Sequence, residues 1–576
     1  LTAAPTPADL TAVFAATLVD EWARAGVTEA VVAPGSRSAP LALALARDPR
    51  VRVQVVIDER SAAFLALGMS RATGRPTVVC CTSGSAGAHF HPAVIEADLS
   101  GVPLLVCTAN RPPELLDTGA GQTIDQHHLF GRSVRWFTAP GPPEAIPDAN
   151  GVWRSIAARA VAETMGPPAG PVHLDLAFRE PLVAFEAPEV VPGRSGGAPW
   201  TRTDRPQRRL DDDTAGALAA QLRDVERGLV VAGWGAGVSP ETASALAAAL
   251  GWPLLADPIS GLREGPHAIS TYDALLRVDA FANRQRPDLV LRVGAPLTSK
   301  VATAWLDATV EQLVVDPDSR WLDPHRAARR RLVVDAQPLL ADLVARWQGP
   351  DRESAWLTAW RDAEIAARRA VDASLDADDV PFDARVARDV YTAVPEGGAL
   401  LVASSMPVRD LEWFAAPRSG LHVYANRGAN GIDGLVSTTL GIAAARSGPV
   451  VGLLGDIAWL HDSNGLLAAA RLAGAGVSAI FVVLDNNGGG IFHFLPAGRT
   501  TELDELFVAP QTVDPLALAA AHGIQGRRVA RASELGPAIR ETLGEGGIRV
   551  LVVPTDRRTN VERHEVLWTA VEAAIS

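Results

Sequence analysis

The chain has 576 residues, 53 of them Lys or Arg and 66 Asp or Glu, and its formal charge of −13 argues against nucleic acid or an anionic membrane as a partner. With 48% apolar and 21% charged residues it reads as globular, and its length exceeds what one core can organise, so about three domains are expected. Cys80, Cys81 and Cys107 are odd in number and lie in or beside apolar runs without metal spacing, as reduced structural thiols of a cytoplasmic protein do.

In chain order, the opening LTAAPTPADL has neither the basic segment nor the apolar core of a signal peptide. TPADLTAVFAATLVDEWARAGV predicts an amphipathic helix with Asp9 near its start, and EAVVAPGSRS a strand running into a Gly-Ser turn. VRVQVVIDERSAAFLALGMSRATG reads as strand, acidic turn and helix; PTVVCCTSGSAGAH and VPLLVCTANRPPE read as strands ending in polar loops. Such alternation predicts a doubly wound parallel sheet.

A Pro/Gly/Arg-rich stretch over 187–207 reads as a linker. Beyond it, GLVVAGWGAG, GWPLLADP, PDLVLRVGAPL and EQLVVDPDSR are again strands with polar ends; GWGAG lacks the glycine spacing and downstream acid of a dinucleotide site. The helical ESAWLTAWRDAEIAARRAVDASL opens the last third. The apolar stretch 465–484, broken by Arg471 and two glycines, predicts a helix and a buried strand rather than a membrane span. Domains are therefore expected at 1–190, 191–348 and 349–576.

Two strand ends in the last third share one design. VVGLLGDIAWLHD delivers Asp456, VVLDNNGGGIF delivers Asn486, and the thirty residues between them are the length of a strand-helix-strand crossover. The two ends should lie side by side at the carboxyl edge of a parallel sheet, where a carboxylate and an amide suit a hard cation. Lys300 is the single lysine in a chain that otherwise uses arginine, which points to a place where a compact ammonium is required. Neither a Ser-His-Asp arrangement, a zinc pattern nor an acid-base carboxylate pair is visible.

Gly455-Asp456 followed by Asp485-Asn486-Asn487-Gly488 resembles the metal-diphosphate motif of thiamine diphosphate enzymes, with Ile457 where glycine is usual and Asp485 where Asn is frequent. APGSRSAPL, DERSAAFLALG, TANRPPELLDTGAGQTIDQ, PVHLDLAFREPL and NRGANGIDGLVSTTLG together resemble the MenD family within that superfamily, along nearly the whole chain. The resemblance implies an α/β fold of three consecutive doubly wound parallel-sheet domains: pyrimidine-binding, central, and diphosphate- and metal-binding.

It further implies thiamine diphosphate and Mg²⁺, or Mn²⁺ in its place, the metal held by side-chain oxygens of Asp456 and Asn486 and the carbonyl of Gly488. Glu59 would stabilise the imino tautomer of the cofactor's aminopyrimidine, and Ile432 would lie beneath the bent cofactor. The implied transferase reaction decarboxylates 2-oxoglutarate and adds the succinyl unit to isochorismate in 1,4 fashion, in menaquinone biosynthesis. Both substrates are dianions, and Ser36, Arg37, Arg111, Gln122, Lys300, Ser405, Arg409 and Arg427 are the implied substrate-binding residues, the cations at polar strand ends. Asn426 and Asp433 are expected to shape the turn between them. A homodimer or dimer of dimers is implied, with the cofactor between domains of different subunits. Two alternatives stay open: another thiamine diphosphate-dependent 2-oxoacid decarboxylase or carboligase such as an acetohydroxyacid synthase, and a non-catalytic thiamine-sensing scaffold.

Overall fold

The computed structural model describes residues 6–184, 189–306, 310–347 and 349–576. Three wholly parallel sheets follow one another along the chain. The first contains β1 (Glu29–Val32), β2 (Arg52–Val55), β3 (Thr77–Cys81), β4 (Leu104–Asn110), β5 (Trp136–Thr138) and β6 (Pro171–Ala177), in the order β2-β1-β3-β4-β6-β5. The second contains β7 (Gly228–Ala232), β8 (Leu254–Ala256), β9 (Leu289–Val293), β10 (Glu311–Val315) and β11 (Ala328–Leu332), ordered β11-β10-β9-β7-β8. The third contains β12 (Ala399–Val402), β13 (His422–Tyr424), β14 (Val450–Gly455), β15 (Ala479–Asp485), β16 (Gln525–Arg528) and β17 (Ile548–Pro554), ordered β13-β12-β14-β15-β17-β16.

Helices cover both faces of such sheets, so interior strands such as β3 and β4 are buried throughout and read as unbroken apolar runs. In each sheet the strand order reverses at one crevice: between β1 and β3, β7 and β9, and β12 and β14. Ligands of open parallel sheets bind at such crevices, beyond the carboxyl ends of the strands.

Local chemistry sets the element ends. The helix Pro7–Arg24 opens with a capping box in which Thr6 accepts from the Asp9 amide at 3.2 Å and Asp9 from the Thr6 amide at 2.9 Å. The stretch 465–484 resolves into a 3-10 turn, the short helix Ala469–Gly474 and β15. Among the described residues no helix is long and apolar enough to cross a membrane. All three thiols are free and buried, and burial pushes Cys80 up to about 12. The predicted linker begins on residues outside the described set; from 189 to 207 the chain is irregular apart from a 3-10 turn at Ser195–Gly197. Residue 348, where the sequence places the second boundary, also lies outside the described residues. Past it, the helix Ala355–Leu375 buries Trp356 and Trp360 against the middle sheet and packs on the last helix, Arg557–Ile575, so it joins two domains rather than opening one.

First and third domains share a core through the crossing of helices Glu59–Thr73 and Leu435–Ala445. A Cβ on Gly68 would lie 2.2 Å from the Thr438 carbonyl oxygen, and one on Gly441 2.1 Å from that of Leu65, so the backbones touch through reciprocal glycines. At one end of the crossing, buried Asp462 accepts from the Ser437 amide (2.7 Å) and hydroxyl (3.1 Å) and from the Ser61 hydroxyl (3.4 Å).

Burial outweighs these donors and pushes Asp462 up to about 6. A carboxyl whose folded value exceeds its unfolded one stabilises fully below the unfolded value and loses that contribution as pH rises through the folded value. Asp462→Asn should therefore gain about 1 kcal/mol relative to wild type between pH 5 and pH 7. Denaturant unfolding of the metal-free proteins measures this; a difference independent of pH over that window would refute it.

Candidate functional site

β14 and β15 pair in parallel with Gly455 opposite Leu484, so their ends do emerge side by side. Asp456 begins the short helix Asp456–His461, while β15 turns sharply through Asn487 (φ 57°) and Gly488 (φ 136°). A Cβ on Gly488 would lie 2.5 Å from the Val508 carbonyl oxygen, so the turn requires glycine. The Asp456 carboxylate, 5% exposed, accepts from the amides of Gly488 (2.8 Å) and Ile457 (2.7 Å); burial nonetheless pushes it up to about 6. The Asn486 side-chain oxygen is buried without a hydrogen-bond partner, although Arg557 holds its backbone carbonyl at 2.9 Å.

A buried carboxylate beside an orphaned amide oxygen is a donor set fitted to a small hard cation, whose binding would favour the ionised carboxylate and satisfy the amide. Asp485 points away from this pair, although its charge adds to the rise at Asp456. Alternation along β15 turns it outward to Arg528 at 3.1 Å, which also pairs with Asp514 at 2.9 Å.

A cavity of about 460 Å³ opens above these strand ends and is lined by Asp456, Asn486 and Gly488 together with Ser405, Arg409, Arg427 and Ile432. Ser405 has φ 74°, left-handed for a non-glycine, at the head of the helix Met406–Phe414, a conformation costing about 1–3 kcal/mol that surrounding structure must hold. Arg409 donates to the Ser405 carbonyl, and Arg427 reaches the Ser404 hydroxyl at 3.5 Å. Burial, then the charge of Arg427, lowers the pKa of Arg409, so the cavity presents two cations that repel each other and would be relieved by an anion.

A second cavity of about 600 Å³ adjoins it, sharing Met406, Arg409, Ile491 and Leu495, and has Lys300 in its wall. Lys300 is exposed at the start of the helix Lys300–Trp305, capped by Ser299; among the described residues nothing accepts from its ammonium. Of the turn residues, buried Asn426 donates to the Thr438 hydroxyl at 3.0 Å, and Asp433 lies 3.5 Å from His461, so both are tied to neighbouring helices.

The remaining predicted residues gather elsewhere, at the carboxyl edge of the first sheet. Gly35 lies against Thr82 at the β1/β3 crevice and leads to exposed Ser36. Arg37, 7% exposed, donates to the Phe178 carbonyl (2.9 Å) and pairs with Glu180 (3.0 Å). Arg111 donates to the Ser83 hydroxyl and to the Gln122 carbonyl (3.1 Å), while the Gln122 amide donates to the Ser83 carbonyl (3.2 Å).

Asp58 caps the helix Glu59–Thr73 through the Ser61 amide at 2.9 Å, so capping falls to Asp58. Among the described residues none hydrogen-bonds to the half-buried Glu59 carboxylate. Contacts from Asn464 to Asp58 (2.8 Å) and from Arg60 to the His461 carbonyl (2.7 Å) set this helix at the end of Asp456–His461 away from Asp456, about 8 Å along its axis. Neither Glu59 nor Ser36, Arg37, Arg111 or Gln122 lines either cavity. The candidate residues of one chain thus fall into two separate groups.

Two carboxylates escaped the sequence reading. Asp383 lines the first cavity, accepts from Thr555 (2.7 Å) and Asn560 (3.1 Å), and is pushed up to about 6 by burial. Glu96 is fully buried on the core face of the helix His91–Ser100. A charged residue at the spacing of Ala93 and Ala97 was the available signal for it.

Comparison with known proteins agrees with this layout. Residues 12–129 match the family described as "Thiamine pyrophosphate enzyme, N-terminal TPP binding domain", 195–402 "Middle domain of thiamine pyrophosphate", and 406–553 "Thiamine pyrophosphate enzyme, C-terminal TPP binding domain". The middle match runs into β12, which the structure pairs into the third sheet. The chain is similar to the 2-succinyl-5-enolpyruvyl-6-hydroxy-3-cyclohexene-1-carboxylate synthase of Geobacillus kaustophilus, at 43% identity over 99% of both chains. The proteins of the same name from Chloroflexus aurantiacus (43%, covering 98% of this chain and 97% of the relative) and Thermobifida fusca (42%, 98% and 99%) are similar to the same extent.

Proposed function

Because the chain belongs to the 2-succinyl-5-enolpyruvyl-6-hydroxy-3-cyclohexene-1-carboxylate synthase family of thiamine diphosphate enzymes, we propose that it decarboxylates 2-oxoglutarate and adds the succinyl unit to isochorismate. The observation that carries this reading is the cavity itself. It joins a metal-type pair, Asp456 and Asn486, to two guanidiniums, Arg409 and Arg427, that form no ion pair among the described residues, and adjoins the cavity of the single lysine. When bound, thiamine diphosphate supplies a nucleophilic carbon and an electron sink for loss of CO₂.

Asp456, Asn486 and the Gly488 carbonyl would hold Mg²⁺ or Mn²⁺ together with the cofactor, and Ile432 would offer it an apolar surface. Glu59 would accept a hydrogen bond from the cofactor's aminopyrimidine and so support its acid-base chemistry. Arg409, Arg427 and Lys300 orient the substrate carboxylates; Ser405 adds a neutral contact. Ser36, Arg37, Arg111 and Gln122 contribute from the first domain, Arg37 by releasing the exposed Glu180. Since Glu59 and these four lie outside the cavity of their own chain, a second copy supplies them, and a homodimer is the smallest complete unit.

The test is incubation of the purified protein with 2-oxoglutarate, isochorismate, thiamine diphosphate and Mg²⁺, with mass analysis of the product. CO₂ release without the succinylated adduct would favour another carboligase, and no CO₂ release would remove the enzymatic reading.

Lys300 provides a sharper check. Lys300→Ala should cost about 1.5–3 kcal/mol, roughly ten- to a hundredfold in kcat/KM, with cofactor binding intact. Lys300→Arg keeps the charge but changes the shape and reach of the head group, so a clear loss is expected there too. Wild-type kinetics from both variants would withdraw Lys300 from the site.

A further inference from the structure

We propose that Glu96, a first-domain residue in contact with neither cavity, is a positioning residue that clamps the turn carrying Arg427 and Ile432. The proposal rests on the reading of Arg427 as a substrate-carboxylate residue. Glu96 is 0% exposed, and its carboxylate accepts from three consecutive amides of that turn: Gly428 (3.0 Å), Ala429 (2.8 Å) and Asn430 (3.1 Å). It also takes the Ser100 hydroxyl and pairs with Arg71 at 3.1 Å, whose other arm donates to the Ala425 carbonyl at 2.9 Å. Acid and base, paired with each other, therefore both hold residues 425–430, one taking amides and the other a carbonyl.

The turn is built to be gripped this closely. A Cβ on Gly428 would meet the Ser100 hydroxyl at 2.7 Å, the Ser100 amide nitrogen at 2.9 Å and the Glu96 carbonyl oxygen at 3.0 Å. The segment has no regular secondary structure, lying between β13 and the helix Leu435–Ala445, so the strand ladder does not fix it. A carboxylate offers two oxygens and about four lone-pair sites, so the five donors crowd it, three at Oε1 and two at Oε2; an amide in its place turns an N–H toward at least one of them. Burial makes each lost partner costly, so the clamp has one low-energy arrangement. That arrangement sets where Arg427 enters the cavity and where Ile432 stands beside it.

Amide hydrogen exchange and steady-state kinetics on the full-length protein test this together, using Glu96→Gln, Ser100→Ala, Arg427→Ala and the Glu96→Gln/Arg427→Ala double variant. Glu96→Gln should speed exchange in residues 426–433 while the sheets keep wild-type protection. With 2-oxoglutarate and isochorismate it should raise KM for at least one substrate about tenfold, with a smaller change in kcat. The double variant should be no worse in KM than Arg427→Ala alone, because both remove one interaction. If Glu96→Gln does not fold, Ser100→Ala, which removes one donor to the carboxylate, decides on the same readouts with a smaller effect.

Unchanged exchange in the turn, additive KM effects, or a loss confined to melting temperature and active fraction would overturn the proposal. The exchange measurement needs no substrate, so it judges the clamp even if wild type fails to turn over these substrates, a result that would instead fall on the functional reading.

Discussion

Asp456→Ala should weaken Mg²⁺-dependent binding of thiamine diphosphate on the order of a thousandfold and leave no measurable turnover, with the fold intact. Two losses combine. The cation loses a charged ligand, and the Gly488 amide, now held at 2.8 Å by the carboxylate, is left without its buried acceptor, which slackens the turn that presents Asn486. Metal-free stability should fall by about 1–3 kcal/mol for the amides left unpaired, offset in part because burial pushes this carboxyl up to about 6 and makes its ionised form unfavourable. Asp456→Asn separates the two losses: it keeps an oxygen for Gly488 while removing the charge, so its cofactor affinity should lie between those of wild type and the alanine variant. Calorimetric titration of cofactor and metal, with melting curves of the metal-free proteins, measures both quantities. Affinity within threefold of wild type in Asp456→Ala would remove Asp456 from the metal site.

The second large effect is a recovery. Glu59→Gln and Asp456→Ala should each be inactive alone, yet an equal mixture allowed to exchange subunits should regain about a quarter of wild-type activity. The arithmetic follows from two-fold symmetry. Random exchange makes half the dimers mixed, and in each mixed dimer one of the two sites receives an intact Glu59 from one chain and an intact Asp456 from the other. The motive is structural: the helix starting at Glu59 meets the far end of Asp456–His461 in its own chain, and Glu59 lines neither cavity there. No recovery despite demonstrated exchange, or full activity from a verified monomer, would mean that one chain completes its own site.

What the sequence made legible was whatever depends on short-range geometry. The thirty-residue spacing placed Asp456 and Asn486 on neighbouring strand ends because a right-handed crossover between parallel strands leaves little freedom. The apolar runs located strands because parallel sheets bury both faces. The partner of Asp485 could not be read from the sequence, since residues alternate across a strand and Arg528 comes from β16, forty-three residues on. The sequence shows only an acidic turn, Asp58-Glu59, before a helix; the three-dimensional turn shows that Asp58 caps it. Glu96 was beyond reach, because the three amides it accepts from lie more than three hundred residues away and an acid on the core face of a short helix does not say what it will meet.

The single lysine in the wall of the second cavity has a practical consequence. Amine-directed chemistry usually gives a mixture of products; here it finds one side chain. With the α-amine blocked or discriminated against, a fluorophore, spin label or photo-crosslinker attached through its ε-nitrogen would report from the cavity wall, and saturating dianion should protect against its attachment. The same property makes amine coupling to a sensor surface unsuitable, since every molecule tethered through that side chain would be held by its cavity wall, whereas a thiol handle on the outer face of β16 would leave the opening free.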